Sequence, residues 1–144
     1  MINEREIKTE GDGIETAICI MNNRLVTPEL EKLLQSYPLY KQDGKKKDAR
    51  CIAVFSLYNI NWFVLEGEKV GDDYELYGIV TGLGTTEYGY FMASELEEQC
   101  LDLTKYGLGH ARVIRDETFK PCPLGQIENY ELQVFLSGLY DKKN

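Results

Sequence analysis

The fold is decided by residues 61 to 97, which read NWFVLEGEKVGDDYELYGIVTGLGTTEYGYFMASELE. Apolar and aromatic residues alternate there with polar ones, and glycines interrupt them. This pattern predicts two strands joined by a turn over Gly67–Asp73, then the loop Gly82-Leu83-Gly84 and a short strand at Tyr88–Met92. A helix is predicted to start at Ser94.

Periodicity also predicts which side chains of this stretch are buried. In the strand over Tyr74–Val80, a period of two separates the residues into two sets, with Tyr74, Leu76 and Val80 on one face and Tyr77 and Ile79 on the other. Ser94-x-x-Glu97 matches a capping box, and Gly107 is predicted to end the helix. The buried stripe of that helix is expected to consist of Leu96, Cys100 and Leu103.

The residues before this stretch predict a helix and a central strand. Thr27-Pro28-Glu29 opens a helix, with Thr27 as the N-cap. Cys51–Tyr58 is apolar on both faces, as in a strand covered on two sides, and Asn59–Asn61 is short enough to make a hairpin. Residues 1–22 form a weakly patterned extension in which Ile14–Met21 could make a strand.

The residues after this stretch predict an edge strand over Ala111–Glu117 and an amphipathic helix over about 126–140. The apolar stripe of that helix could pack on its own sheet or on a second copy, as in a homodimer. It consists of Leu132, Phe135, Leu136 and Leu139. The fold class expected is α+β, with one domain over 23–128 followed by the C-terminal helix. In this fold an antiparallel meander of about four to six strands packs against three helices, of which the C-terminal helix is one.

Composition describes an ordinary globular chain of 144 residues with a net charge of −8. The segment Lys41–Arg50 carries +3 by itself and is expected to be a solvated loop, which leaves −11 on the rest. That balance argues against direct nucleic-acid binding; it either favours a basic partner or only keeps the chain soluble. We find no apolar run of membrane-spanning length and no secretory core, so we predict a cytoplasmic protein without membrane contact.

Reactive side chains are few. Cys19, Cys51, Cys100 and Cys122 are widely spaced, and His110 is the one histidine, so we predict free thiols, no metal and no cofactor. The Gly82-Leu83-Gly84 loop lacks the lysine of a phosphate loop and does not open a helix. The acidic residues that start the helix at Ser94 suit its dipole better than acid–base chemistry. We therefore predict no catalytic residue and no enzyme.

Tyrosines are the residues that suggest function, since ten of them stand against five phenylalanines. Tyrosine is enriched at binding surfaces, and several tyrosines lie in or beside the strands around the glycine loop. The alternative is a mixed core with hydroxyls at its rim. The predicted binding surface consists of Trp62, Tyr77, Gly82, Gly84, Glu87, Tyr88, Tyr90, Arg115 and Asp116.

An ordered set of short motifs resembles a bacterial family, domain of unknown function 2958, over about residues 23–128. The residues that carry the resemblance are Arg24–Leu30, Trp62, Leu76–Gly78, Gly82–Gly84, Glu87–Tyr90, Ser94–Leu96, Ile114–Asp116 and Phe119–Pro121. The resemblance supplies no catalytic residue. It implies an accessory protein of plasmids, conjugative elements or phages.

Three functional hypotheses follow. The leading one is a non-enzymatic interaction protein of a mobile element that blocks a host defence nuclease, of the restriction or CRISPR type. The alternative is a nucleotide-binding protein, with the base between Trp62, Tyr88 and Tyr90 and the phosphate on Arg115. The third is an enzyme of unknown reaction.

Overall fold

The computed structural model describes residues 25–141. The extension 1–22 and its predicted strand at Ile14–Met21 lie outside the described residues. The strands are β1 (Arg50–Cys51), β2 (Ala53–Leu57), β3 (Ile60–Val70), β4 (Asp73–Thr81), β5 (Glu87–Met92), β6 (Cys100–Asp102), β7 (His110–Arg112), β8 (Ile114–Arg115) and β9 (Cys122–Pro123). The α-helices are α1 (Pro28–Leu34), α2 (Ala93–Glu98) and α3 (Tyr130–Tyr140).

A five-stranded antiparallel sheet in the order β5-β4-β3-β2-β8 is the centre of the fold. Strands β2 to β5 are consecutive neighbours, so they form the predicted meander, and β8 returns to the other edge. Two small ladders, β1 with β9 and β6 with β7, complete the antiparallel pairing. The α+β class is confirmed. None of the helices within residues 25–141 is long and apolar enough to cross a bilayer.

Both faces of the sheet are covered, and the residues of β4 alternate between them. Tyr74, Leu76 and Val80 pack with α1 and α2 in one core. Tyr77 and Ile79 lie on the face that packs against α3. The predicted alternation is therefore confirmed. The stripe of α3 packs on the chain's own sheet, where Leu132 and Leu136 are fully buried and Leu139 is exposed.

The helix starts follow their caps. Thr27 Oγ1 accepts a hydrogen bond from Leu30 N at 3.2 Å, as predicted for α1. Asn129 Oδ1 accepts one from Leu132 N at 2.9 Å, which starts α3 at Tyr130. The predicted start near 126 is wrong, because residues 124–126 form a 3₁₀ turn and Ile127 is extended.

The predicted turn over Gly67–Asp73 is wrong, because β3 continues to Val70 and pairs with β4 along its length. Only Gly71 and Asp72 turn the chain. A β-bulge between Val64 and Glu66 shifts the register of this pair. Bulges leave one extra residue on a strand and re-aim the side chains next to it. Here Leu65 and Glu66 line the same small cavity on the α3 side of the sheet.

A helix forms where one was predicted at Ser94, but its predicted cap and its extension to Gly107 are wrong. Ser94 is not a cap, since its hydroxyl and its N–H both donate to Asp73, and α2 begins at Ala93 and ends at Glu98. Gln99 is extended, and residues 100–102 satisfy their backbone by pairing with β7. Cys100 is therefore exposed rather than buried.

Two predicted strands are divided. The run Cys51–Tyr58 is divided at Ile52: β2 pairs with β3, whereas β1 pairs with β9. The N–H of Ile52 donates to Val64 O of β3 at 2.8 Å. The run Ala111–Glu117 contributes to both β7 and β8. Its predicted edge position holds for β8 alone, which pairs with β2 at the end of the sheet.

Candidate functional site: a tyrosine surface beside an open sheet edge

Strands β4 and β5 bring three tyrosines together. Tyr77 lies directly across from Tyr90, with ring centroids 4.8 Å apart. The ring of Tyr88 stacks on Tyr77 at 5.8 Å with 12° between the planes. The three side chains share one face because they follow the period of two, and aromatic cross-strand pairs stabilise a sheet by roughly 0.2–1 kcal/mol each.

Helix α3 adds two aromatic side chains, Phe135 and Tyr140, that contact Tyr88. The Phe135 ring lies 5.7 Å from that of Tyr88. The hydroxyls of Tyr88 and Tyr140 share a hydrogen bond of 2.8 Å. Both tyrosines are half-buried, so the bond satisfies polar groups that would otherwise be costly to remove from water.

A fifth tyrosine comes from the loop after α1. Tyr40 is 65% exposed and has a φ of 74°, in the left-handed region that a residue with a Cβ rarely adopts. A hydrogen bond between the side chains of Tyr40 and Tyr90 raises the pKa of Tyr90 to about 12. We call Tyr40, Tyr77, Tyr88, Tyr90 and Tyr140 the tyrosine surface.

A buried carboxylate holds Tyr40 in this conformation. Glu66, 2% exposed, accepts hydrogen bonds from Tyr40 N at 2.8 Å and from Gln42 N at 2.6 Å. The Gln42 side chain is buried as well: its Nε2 donates to Arg50 O and Leu65 O, each at 2.9 Å, and its Oε1 accepts from Arg50 N at 2.6 Å. The loop is thus fixed to β3 and β1 at five points, which pre-organises the tyrosine surface.

A small cavity of about 100 Å³ lies between this loop and the rings of Tyr77, Tyr88 and Tyr140. Its wall carries charges of both signs, from Asp43, Glu66 and Lys46. The Lys46 Nζ lies 6.0 Å from the centre of the Tyr140 ring, in cation–π range. The predicted lysine-rich loop is therefore solvent-exposed but adjoins the tyrosine surface.

Strand β5 is an edge strand, and within residues 25–141 no strand pairs with its outer side. Its six residues include two exposed side chains, Glu87 and Tyr90. An unpaired edge offers backbone N–H and C=O groups to another chain. The tyrosine surface thus adjoins a row of backbone groups that can accept a strand.

The glycine loop shapes the start of β5 rather than forming a ligand cradle. Gly82 has a φ of 93°, and a Cβ there would lie 2.2 Å from Asn59 O, so only glycine fits. Its N–H donates to Glu131 of α3 at 3.1 Å. Gly84, at a φ of 98°, faces open space.

Three predicted site residues lie apart from the tyrosine surface. Trp62 is 6% exposed in the core on the α1 side, so its predicted place in the binding surface is wrong: it alternates with Phe63 and falls on the other face. Arg115, on β8 at the opposite edge, donates from Nη1 to Thr27 Oγ1 at 3.0 Å. Asp116 accepts hydrogen bonds from the Thr118 hydroxyl and N–H, which lower its pKa. The predicted nucleotide pocket is therefore not assembled.

A cleft of about 720 Å³ lies at the start of α1 and is lined in part by Arg115. Thr27, Pro28, Glu29 and Glu117 are among its lining residues. Arg115 is engaged there with the helix cap, and Glu29 and Glu117 line the same cleft. The cleft is thus remote from the tyrosine surface, at the other edge of the sheet.

His110 is half-exposed on β7, with Nε2 3.6 Å from Asp102 Oδ1. Among the described residues no group of three or more His, Cys, Asp or Glu side chains is arranged to hold a metal.

Sequence reasoning missed Tyr40, Tyr140, Gln42 and Glu66. Tyr40 belongs to a polar loop, and Glu66 comes immediately before the turn predicted over Gly67–Asp73. The alternation of β3 changes at the bulge, and no local pattern marks it. The excess of tyrosine was the signal that singled out β4 and β5, where Tyr77, Tyr88 and Tyr90 lie together.

The tyrosine surface predicts a loss of stability at alkaline pH. Burial, followed by the Tyr140 hydrogen bond, raises the pKa of Tyr88, and burial raises that of Tyr77. The unfolded chain releases tyrosine protons near pH 10, before the folded chain does. This contribution is therefore complete below pH about 10 and is lost progressively as the pH rises above that value.

Urea unfolding at pH 9, 10 and 11 measures the effect, and absorbance of tyrosinate identifies the groups. In Tyr88→Phe the unfolding free energy is expected to decrease less with rising pH than in the wild type. Tyr130→Phe, at an 86% exposed position, is expected to show the same decrease as the wild type. Equal slopes in all three proteins would contradict the assignment.

Comparison with protein families, with curated proteins and with solved structures gives no match to this chain.

Proposed function

We propose that this chain is a non-enzymatic interaction protein that binds a partner protein through the tyrosine surface and the edge of β5. The observation that carries the proposal is Tyr40, exposed at a positive φ and fixed beside exposed Tyr90 by the buried carboxylate of Glu66. Strained residues persist where their surroundings over-determine them, and they cluster at functional sites. A rigid aromatic pair loses little entropy on binding.

Strand addition is the binding mode that this geometry supports. In that mode main-chain hydrogen bonds give affinity, and side chains on alternate positions give specificity. Tyr90 lies on the open strand itself, and Tyr40 and Tyr77 flank it. Tyrosine combines a large apolar ring with a polar tip, which suits the centre of a protein interface.

The proposed partner is a host nucleic-acid enzyme, and the proposed role is inhibition of a defence nuclease for a mobile genetic element. The net charge of −8 supports a basic partner surface, such as a groove that binds DNA or RNA. The resemblance to domain of unknown function 2958 supports the setting.

Titration of the chain against purified restriction and CRISPR nucleases tests this proposal. We expect the wild type to inhibit cleavage by one class. The double variant Tyr40→Ala/Tyr90→Ala is expected to weaken that inhibition by about 30-fold or more, as for interface hot spots. Tyr106→Ala is the matched control, because Tyr106 is 66% exposed on the β6–β7 hairpin, away from this surface.

Two outcomes would redirect the proposal. Inhibition that the double variant retains would place the contact elsewhere on the molecule. Thermal stabilisation by millimolar nucleotides, lost in Tyr88→Ala, would favour the small-ligand alternative, because a ligand that binds the native state raises its stability.

A further inference from the structure

Two cysteines face each other across the β1–β9 ladder. The register pairs Cys51 directly with Cys122. Directly opposite residues of an antiparallel pair have Cα atoms about 4.5–5.5 Å apart and side chains on the same face. A disulfide bridges Cα atoms about 4.4–6.8 Å apart. The register therefore places the two Cα atoms at a separation that a disulfide can span.

The flanking residues fix this pairing. Cys122 lies between Pro121 and Pro123, and a residue before proline is held in the extended region. Leu124 N donates to Ala49 O at 2.8 Å on one side of the pair. Arg50 Nη1 donates to Pro121 O at 2.9 Å on the other. Cys122 is thus held opposite Cys51 from both directions.

The two thiols differ in access. Cys51 is fully buried, and this burial raises its pKa. Its Sγ donates to Ala53 O at 3.3 Å. Cys122 is half-buried, so it is the thiol that a soluble reagent reaches first. Burial is the main cause of this shift, and a Cys122 thiolate would raise the pKa of Cys51 further.

We propose that Cys51 and Cys122 form a reversible dithiol site, which a small disulfide such as oxidised glutathione closes into an intramolecular disulfide. The Cys122 thiolate attacks one glutathione sulfur; the glutathione S–S bond breaks, and one glutathione thiolate leaves. Cys51 then loses its proton and attacks Cys122 Sγ, which releases the second glutathione. The two protein thiols are oxidised, and one glutathione disulfide is reduced to two thiols.

The bond would join the strand that precedes β2 to the segment that leads into α3. Helix α3 carries Tyr140 and Phe135, so oxidation would tie part of the tyrosine surface to the sheet. The site does not depend on the proposed partner, because it rests on the β1–β9 register alone.

Oxidation of the reduced full chain with excess oxidised glutathione tests the site. We expect an intact mass lower by two hydrogens, a peptide map that links Cys51 to Cys122, and a melting temperature higher by about 10 °C, reversed by dithiothreitol. A mixed disulfide at Cys122 is expected first, and its conversion should be faster at higher pH because more Cys51 is deprotonated.

Matched variants separate this bond from other thiol chemistry. Cys122→Ser and Cys122→Ala are expected to lose both the mass change and the stabilisation, whereas Cys100→Ser keeps both because Cys100 is exposed on β6. A stable mixed disulfide at Cys122, a bond to Cys19 or Cys100, or thiols that stay alkylatable would each overturn the proposal. The wild-type peptide map decides the question even if a variant does not fold.

Discussion

Gly78→Ala is expected to destabilise the protein by about 3 kcal/mol or more, a loss large enough to unfold many domains. A Cβ at Gly78 would lie 1.9 Å from Phe63 O and 3.1 Å from Val64 Cα. Both are backbone atoms, so no side-chain rotation relieves the contact. The β3 bulge begins at Val64, directly across from Gly78, and brings the two strands too close for any side chain.

Gly89→Ala is the matched control, because Gly89 pairs with Gly78 from the other side and a Cβ there would meet nothing within 4 Å. We expect its unfolding free energy to stay within about 0.5 kcal/mol of the wild type, as for surface substitutions. Urea unfolding followed by circular dichroism measures both. Similar losses in the two variants would show that glycine flexibility, not close approach, explains Gly78.

Glu66→Ala is expected to cost about 3 kcal/mol and to release Tyr40 from Tyr90. The carboxylate accepts two backbone N–H groups, and each buried donor left without an acceptor costs about 1–3 kcal/mol. The unfolding free energy of Glu66→Gln should fall between those of the wild type and Glu66→Ala, since an amide has one acceptor oxygen. Urea unfolding gives the stability. In Glu66→Ala the pKa of Tyr90 should fall from about 12, because the hydrogen bond with Tyr40 that raises it is lost. An absorbance titration measures this change.

Glu68→Ala is the control for this change, because Glu68 lies two residues further along the same strand and is exposed. Its unfolding free energy and the Tyr90 titration are expected to match the wild type. If Glu66→Ala also leaves the Tyr90 titration unchanged, the carboxylate does not position Tyr40.

Sequence predicted best where one stretch of chain decides its own structure. The period of two assigned Tyr77 and Ile79 to one face of β4, and the Thr27 hydroxyl capped α1 as predicted. Both depend on neighbours within a few residues. The same reasoning failed at Cys100, because the pairing of β6 with β7 replaced the helix that its spacing suggested.

The site could be predicted only in part for the same reason. Tyr88 and Tyr90 were found because they belong to a strand with its own pattern. Trp62 was misplaced because an aromatic residue next to a turn gives no sign of its face. Glu66 and Tyr40 are separated by 26 residues, and their contact follows from the bulge in β3. No local pattern encodes such a contact.

The Gln42 amide has a consequence for dynamics. It meets Arg50 as a peptide group would, accepting from the Arg50 N–H and donating to the Arg50 carbonyl. The Arg50 amide proton is therefore protected by a side chain that belongs to the Tyr40 loop. Deuterium can replace that proton only when the loop lifts away from β1. The hydrogen-exchange rate of the Arg50 amide thus reports how often the loop that carries Tyr40 opens.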